Sequence, residues 1–214
     1  MNRAVIFDLD GVIADTQKFH AQVESELLER FHVSLTPDRI TQTYAGVSGE
    51  EMFADIFKQQ GISGVDIPVL LSEKWERMEK VTRGRIQAMP YALELMTDLK
   101  EKGFKLAVAS GSPKTFIASV LEALGITDKF DAIVSAQEVQ QGKPAPDIFL
   151  LAAKRLGTTP QNTIVIEDGR SGMIGAQRAH MKCIGLVTDK HSDYPATLLI
   201  NALNQLRIED IKTL

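Results

Sequence analysis

Carboxylates and a hydroxyl follow three short apolar runs of this sequence. Asp8 and Asp10 come directly after the first run, Ser110 follows a second, and Glu167 and Asp168 follow a third. If these runs are neighbouring strands of a parallel sheet, all five side chains gather at its carboxyl edge, where open α/β sheets bind ligands. Helix capping explains each residue alone, but it does not explain their joint placement. We therefore expect one polar crevice at this edge.

A divalent cation is expected in this crevice. Converging carboxylates repel one another and raise their pKa values unless a cation lies between them. Mg²⁺ suits hard oxygen ligands, and it shares its shell among a few carboxylates, water and a phosphate oxygen. The four His and one Cys of the chain show no spacing typical of zinc ligands. The sequence therefore predicts Mg²⁺ as the cofactor.

Phosphoryl transfer is the chemistry that such a crevice supports. Asp8 is the candidate nucleophile, because a carboxylate can attack phosphorus and form an aspartyl phosphate. Asp10 is the candidate proton shuttle, which protonates the leaving oxygen and then accepts a proton from water or an alcohol. Lys143 and the Ser110 hydroxyl, with amides at the following helix start, would balance charge on the phosphoryl oxygens.

The elements that position these residues form an alternating pattern. Five apolar runs without polar alternation predict strands buried on both faces of a parallel sheet, at residues 4–7, 106–109, 132–134, 164–166 and 183–187. Helical patterns lie between them: Ser112-Pro113 can begin one helix that Gly125 ends, and Pro146 and Gly157 bracket another. This alternation predicts a doubly wound, Rossmann-like α/β fold, with a last helix over residues 195–214.

One long stretch interrupts the alternation. The residues between the first two predicted strands show helical periodicity and no convincing strand, and they far exceed what one crossover needs. Four successive helical patterns lie within this stretch. We expect a helical cap domain at 14–86, inserted into an α/β core formed by 1–13 and 87–214.

The composition narrows the class of partner. The charged fraction is 24% and the net charge is -4, so no broad positive surface attracts nucleic acid or acidic lipid. The N-terminus lacks an apolar stretch long enough for a signal peptide or a membrane span. The single Cys183 is expected to be a small buried strand residue. We expect a cytoplasmic monomer that acts on a small phosphorylated metabolite.

Four segments resemble the motifs of the haloacid dehalogenase superfamily, in order and across the whole chain. They are Asp8-Leu9-Asp10-Gly11-Val12, Ala109-Ser110-Gly111-Ser112, Gly142-Lys143-Pro144 and Glu167-Asp168. The helical insert resembles the cap of the β-phosphoglucomutase and small-phosphatase branch of that superfamily, in which the cap closes over the core and selects the substrate.

The resemblance implies roles for individual residues. Asp8 is similar to the nucleophile and Asp10 to the acid/base, while Ser110, Gly111 and Lys143 are similar to the phosphate binders. The implied metal ligands are the Asp8 carboxylate, the Asp10 backbone carbonyl and Asp168, with Glu167 in support. The fourth motif departs from many relatives, which follow Glu-Asp with Ser, because Gly169, Arg170 and Ser171 follow here.

Asp10 separates this chain from other branches. Dehalogenases and phosphonate-cleaving members resemble it but lack an Asp at that position, and ion-pumping members have membrane spans. A signalling receiver module also combines an acidic Mg²⁺ site with a phospho-accepting Asp and a Lys. Receiver modules, however, accept phosphate after an interior strand and lack a large helical insert, so the sequence favours an enzyme.

The sequence leaves two alternatives for the group that accepts the phosphoryl group: water in a phosphatase and a sugar hydroxyl in a sugar-phosphate mutase. A mutase must hold a bisphosphate, so it needs a second phosphate site in the cap and exclusion of water. Candidate residues for that side of the site are His20, Gly46, Val47, Ser48, Lys74 and Lys114, because they resemble substrate-side residues of the mutases. The mutases follow Gly-Val-Ser with a phosphate-binding Arg, whereas this chain has Gly49, so hydrolysis is favoured.

These candidates also have structural explanations. His20 lies beside a predicted apolar stripe and suits an ordinary interface. Lys74 lies in a charged segment, for which a solvated helix face is the default. Trp75 and Met78 suit the core of the cap.

Overall fold

The structure is a computed structural model that describes residues 3–44, 47–187 and 193–214. The chain divides into two compact units. The core unit contains the described parts of Met1–Asp15 and Gln87–Leu214, and the helical unit is Thr16–Ile86. Within the core unit, Asp15 donates a backbone hydrogen bond of 2.9 Å to the carbonyl of Gln87, so the chain leaves and re-enters this unit at adjacent points.

A parallel sheet forms the centre of the core unit. Its strands are β1 (Ala4–Phe7), β2 (Lys105–Ser110), β3 (Ala132–Ser135), β4 (Thr163–Glu167), β5 (Lys182–Leu186) and β6 (Leu198–Ile200), in the spatial order β3-β2-β1-β4-β5-β6. Phe7 lies opposite Val108 of β2 and Ile166 of β4. The residues that follow these three strands therefore emerge at one edge of the sheet. The predicted doubly wound α/β fold is confirmed.

The helices, in chain order, are α1 (Gln17–Glu29), α2 (Pro37–Tyr44), α3 (Gly49–Gln59), α4 (Ile67–Thr82), α5 (Ala92–Glu101), α6 (Lys114–Ala123), α7 (Asp147–Leu156), α8 (Arg170–Arg178) and α9 (Ile208–Thr213). The α7 helix ends as its sequence predicts, because Gly157 adopts a left-handed conformation with φ of 65°. Among the residues that the structure describes, no helix has the length and apolar character needed to cross a membrane.

Both faces of the sheet are buried, which explains why the strands lack polar alternation. Ile6 and Ala107 belong to an apolar cluster with Phe149 of α7 and Met173 of α8. Phe7, which points to the opposite face, is also 0% exposed. A strand covered on both sides has no position for a solvated side chain. Cys183 is buried in β5, as expected, and burial raises the pKa of its thiol.

The C-terminal segment differs from the prediction of a single last helix. Residues Leu198–Ile200 form β6, which pairs in parallel with β5, and the chain then makes a short 3-10 turn before α9. A Cβ atom on Gly185 would lie 2.8 Å from Leu199, so the leucine packs directly over the glycine backbone. Leu198 and Leu199 are therefore half-buried in an edge strand, and the spacing of the leucines alone did not distinguish this strand from a helix.

In the described part of the helical unit, the helices are α1 to α4, one for each predicted pattern. Its apolar core includes Val23, Leu27, Phe53 and Met78, all fully buried. Phe57 stacks near Phe53, with ring centroids 6.0 Å apart. Most of the stability of such short helices comes from this shared burial.

Candidate active site

The turn after β1 fixes the two aspartates of the first motif. The backbone N–H of Asp8 donates a 2.9 Å hydrogen bond to the carbonyl of Ile166, which extends the pairing of β1 with β4. Gly11 follows with φ of 83°, a conformation that disfavours any side chain, and its N–H donates to the carbonyl of Ala14. The turn thus leaves Asp8 buried and Asp10 half-buried at the carboxyl edge of the sheet.

Lys143 joins two carboxylates at this edge. Its Nζ atom lies 2.6 Å from Oδ1 of Asp8 and 2.7 Å from Oε2 of Glu167. Burial lowers the pKa of Lys143, but the two carboxylates outweigh it and hold that pKa above its ordinary value. Burial, followed by the charge of Glu167, raises the pKa of Asp8 to about 7, although Lys143 acts in the opposite direction. The group is therefore a buried, charge-coupled triad.

A cluster of three carboxylates lies at the same place. Oxygen atoms of Asp8, Glu167 and Asp168 lie within 4.8 Å of one another. Oxygen donors at this spacing, all carboxylate and without thiolate or imidazole, fit a hard divalent cation. The chemistry of the donor set therefore fits the predicted metal site.

Gly172 determines how Glu167 is held. A Cβ atom on Gly172 would lie 2.2 Å from both Cδ and Oε2 of Glu167, so the α8 backbone packs directly on that carboxylate. Any side chain at position 172 would force the Glu167 side chain to shift. The contact between Gly172 and Glu167 was not predicted from the sequence.

The unusual segment after Glu167-Asp168 adopts an ordinary conformation. Gly169 precedes α8 with φ of -96°, which any residue can adopt, so the turn itself does not require glycine. Its N–H donates a 3.1 Å hydrogen bond to Oε1 of Glu167. The α8 helix begins at Arg170, directly after this glycine.

Two serines contact the carboxylate of Asp10. The Oγ atom of Ser112 donates a 2.8 Å hydrogen bond to Oδ2 of Asp10, and the Oγ atom of Ser110 lies at 3.4 Å from the same oxygen. The N–H of Ser112 donates in turn to Oγ of Ser110 at 3.0 Å. We expected Ser112 to help begin α6, but Pro113 precedes that helix and makes no side-chain capping bond. The signal that could have indicated Ser112 is its position two residues after Ser110.

The two remaining core candidates lie on the same loop. Gly111 is exposed between the serines, and a Cβ atom there would meet nothing within 4 Å. Lys114 has an exposed side chain, and its Nζ atom lies 2.9 Å from Oε2 of Glu138. The charge on Lys114 is therefore partly compensated within the core unit.

The described candidates in the helical unit include residues that pack against or cap its helices. The rings of His20 and Trp75 meet edge to face with centroids 5.4 Å apart. Val47 is 40% exposed, and Ser48 caps α3 by accepting a 3.2 Å hydrogen bond from the N–H of Glu51. Gly46 lies outside the described residues.

Lys74 is not on a solvated face, so that expectation was wrong. It is 4% exposed, and its Nζ atom lies 2.6 Å from Oε1 of the buried Glu24. The Nζ atom also lies 5.1 Å from the ring of Trp75. Glu24 is 50 positions away along the chain, so local charge pattern gave no sign of this pair.

Gly49 lies against this ion pair. A Cβ atom at position 49 would be 3.2 Å from Nζ of Lys74 and 3.1 Å from a methyl carbon of Leu71. Both distances are tighter than ordinary van der Waals contact, so even a methyl group would require the neighbours to shift.

Comparisons with known proteins agree with the four motifs. Residues 5–186 match the family described as haloacid dehalogenase-like hydrolase. The β-phosphoglucomutase of Bacillus subtilis is 31% identical over 97% of this chain and 98% of its own length. A phosphorylated carbohydrates phosphatase of Thermotoga maritima is 28% identical, with 97% and 95% covered.

Two further relatives also match almost the whole of this chain. The crystal structure of a β-phosphoglucomutase from Clostridium difficile has a TM-score of 0.87 and 30% identity, covering 100% of this chain and 96% of that chain. The chloroplastic protein Suppressor of quenching 1 of Arabidopsis thaliana is 32% identical over 98% of this chain, which spans only 20% of that protein's length. The family match spans residues 5–186, a range that includes Asp8, Lys143 and Asp168, so the chain is an enzyme that belongs to the haloacid dehalogenase-like hydrolase family.

Proposed function

We propose that the chain is a Mg²⁺-dependent phosphatase that hydrolyses a small phosphorylated metabolite, with sugar phosphates as the favoured class. The observation that carries this proposal is the buried triad of Asp8, Lys143 and Glu167 beside Asp168. It brings together a carboxylate nucleophile, a cation that stays charged, and an oxygen donor set suited to Mg²⁺. The sugar phosphatase and mutase names of the relatives support the substrate class.

Asp8 acts as the nucleophile in this proposal. Its carboxylate attacks the phosphorus atom of the ester and forms an aspartyl phosphate as the bond to the ester oxygen breaks. Lys143, 2.6 Å from Oδ1, keeps positive charge beside the transferring oxygens. Asp8, Asp168 and the Asp10 carbonyl, with Glu167 in support, would hold Mg²⁺, and the ion would supply positive charge that compensates the phosphoryl oxygens.

Asp10 moves the proton in both half-reactions. It first donates a proton to the departing alcohol oxygen, and the resulting carboxylate then accepts a proton from the water that attacks the aspartyl phosphate. Inorganic phosphate leaves, and both aspartates return to their starting states.

The surroundings of Gly49 support water rather than a sugar hydroxyl as the second acceptor. A mutase must bind a second phosphate, and a phosphate dianion calls for cations whose charge is not already compensated. Lys74 is buried against Glu24, and Gly49 provides no side chain. Lys114 shares its charge with Glu138. Positions 49 and 74 therefore offer no uncompensated cation, and the charge on Lys114 is partly compensated.

A sugar-phosphate mutase is the second candidate. Its support is the similarity to β-phosphoglucomutases, one in sequence along 98% of the relative's length and one in structure at a TM-score of 0.87. Mutase and phosphatase share the first half-reaction and differ only in what attacks the aspartyl phosphate. The distinction therefore depends on a direct measurement of products.

The decisive experiment is a panel of sugar phosphates assayed with Mg²⁺ and with EDTA for release of inorganic phosphate. The panel includes β-glucose 1-phosphate with catalytic glucose 1,6-bisphosphate, followed for glucose 6-phosphate. We expect Mg²⁺-dependent multiple turnover with phosphate release faster than isomerisation. Isomerisation that outpaces phosphate release would establish the mutase instead, and a single turnover without release would point to a phospho-accepting module.

A further inference from the structure

The loop after β3 contacts the loop that carries Ser110 and Ser112. Ser135 Oγ donates a 2.7 Å hydrogen bond to the carbonyl of Ser112. The N–H of Lys114 donates to Oε1 of Gln137 at 3.2 Å, and Nζ of Lys114 lies 2.9 Å from Oε2 of Glu138. We call Ser135, Gln137 and Glu138 the β3 clamp. Its side chains thus hold the loop at residues 110–114.

Glu138 of the β3 clamp makes further contacts with β3 and with α7. Oε1 of Glu138 accepts a 3.0 Å hydrogen bond from the N–H of Ser135, and Oε2 lies 2.6 Å from Nη2 of Arg155 on α7. Arg155 also donates a 2.6 Å hydrogen bond to the carbonyl of Ile133 in β3. Arg155 and the other donors lower the pKa of Glu138 to about 2, so its charge persists at neutral pH. The clamp is therefore a fixed support rather than a mobile side-chain cluster.

Ser112 connects the β3 clamp to Asp10, because it makes hydrogen bonds to both. The residue is 2% exposed, and its hydroxyl makes the shorter of the two serine contacts with Oδ2 of Asp10, at 2.8 Å against 3.4 Å for Ser110. A hydroxyl can donate to a carboxylate and can accept from a carboxylic acid. The contact therefore remains available in both protonation states that a proton shuttle passes through.

We infer that Ser112 is a positioning residue for Asp10 and that the β3 clamp sets its place. Ser112 fixes the direction of the Asp10 carboxyl, so that its proton points at the leaving oxygen of the ester. This inference rests on the proposed acid/base role of Asp10. It assigns the clamp an effect on proton transfer that is exerted through the backbone and hydroxyl of Ser112.

Ser112→Ala tests the inference through its dependence on the leaving group. Proton donation matters for sugar phosphates, whose alkoxide leaves poorly, and matters little for p-nitrophenyl phosphate. We expect kcat to fall roughly ten- to a hundredfold on a sugar phosphate and by less than about threefold on p-nitrophenyl phosphate. Ser119→Ala is the matched control, because that hydroxyl donates to the carbonyl of Phe116 on its own helix, α6. It should leave both rates unchanged.

Glu138→Gln tests the role of the β3 clamp, and it provides a second test of the inference if Ser112→Ala does not fold. The amide keeps the size of the side chain but removes the charge that holds Lys114 and Arg155. We expect the same selectivity for poor leaving groups, with a smaller loss of kcat. Thermal unfolding followed by circular dichroism identifies variants that remain folded.

Asp10→Asn in the same series separates this inference from the proposed function. A selective loss for Asp10→Asn together with equal losses on both substrates for folded Ser112→Ala and Glu138→Gln overturns the positioning role alone. Equal losses for Asp10→Asn itself overturn the acid/base role and the inference with it. Selective losses in all three variants support both.

Discussion

Lys143 and Asp8 form a buried contact of 2.6 Å although 135 positions separate them in the chain. The contact forms because the Lys143 loop and the end of β1 meet at the carboxyl edge of one sheet. Glu167, the last residue of β4, receives the other contact of the same ammonium group at 2.7 Å. Asp8, the proposed nucleophile, is therefore embedded in a charge network.

Asp8→Asn should abolish turnover while the protein stays folded. The carboxamide is a poor nucleophile and a weak metal ligand, so we expect kcat to fall by about a thousandfold or more. Phosphate release measures turnover, and a far-ultraviolet circular dichroism spectrum shows whether the variant is folded. Near-normal turnover in a folded Asp8→Asn variant would contradict the mechanism.

Gly172→Ala should impair metal binding through Glu167. The new methyl group would overlap the Glu167 carboxylate, which lies 2.2 Å from the Cβ position, so that side chain must move. We expect the Mg²⁺ concentration for half-maximal activity to rise about tenfold or more, since residues that support metal ligands commonly affect affinity on this scale.

Gly175→Ala on the same helix is the matched control for this prediction. Its Cβ atom would meet the ring of Phe149 at 3.0 Å and the carbonyl of Ala145 at 3.1 Å, away from the carboxylates. It should lower the melting temperature without changing the Mg²⁺ requirement. An equal change in Mg²⁺ requirement in both variants would mean that helix displacement, not contact with Glu167, is responsible.

The Glu24–Lys74 pair should show strong coupling in stability. Lys74→Met leaves a buried carboxylate without its partner, and Glu24→Gln leaves a buried ammonium group, so each change should cost about 3 to 5 kcal/mol. The double variant should lose less than the sum of the two single variants. Urea unfolding of all four proteins measures the coupling, and additive losses would show that the pair does not interact as the geometry indicates.

The stabilising effect of Glu138 should be lost in acid. Its pKa falls from an ordinary value of 4.5 to about 2 in the folded protein, with Arg155 as the leading cause. A depressed folded pKa contributes stability above pH 4.5 that disappears as the pH falls towards 2. The gap in unfolding free energy between wild type and Glu138→Gln should therefore narrow across this window. A gap of constant size from neutral pH to pH 2 would refute this account.

The strands, and the edge of the sheet at which the candidate site residues lie, were predictable for physical reasons. A strand buried on both faces needs an uninterrupted apolar run, so β1 to β5 appear in the sequence to within one residue at either end. Parallel strands share a carboxyl edge, which is why Asp8, Ser110 and Glu167 could be placed together. The roles of these residues remain proposals until the variants are measured.

Other features depend on contacts that leave no local pattern. Gly172 is required by a side chain from β4, Lys74 is paired with a glutamate on another helix, and the Ser112 hydroxyl reaches across 102 positions to Asp10. The β6 strand also escaped prediction, because leucines at its spacing suit a helix equally well. In each case a residue distant in the sequence, rather than the local sequence pattern, determines the contact or the secondary structure.

The position of Lys74 beside Gly49 also bears on how readily this enzyme could change its chemistry. Introducing an arginine at position 49 would place its first side-chain carbon 3.2 Å from a buried ammonium group and a second positive charge nearby. Any side chain at position 49 therefore requires Lys74 and Leu71 to shift, and that shift disturbs the ion pair of Lys74 with Glu24. The energetic effects of substitutions at positions 24, 49 and 74 should therefore be coupled.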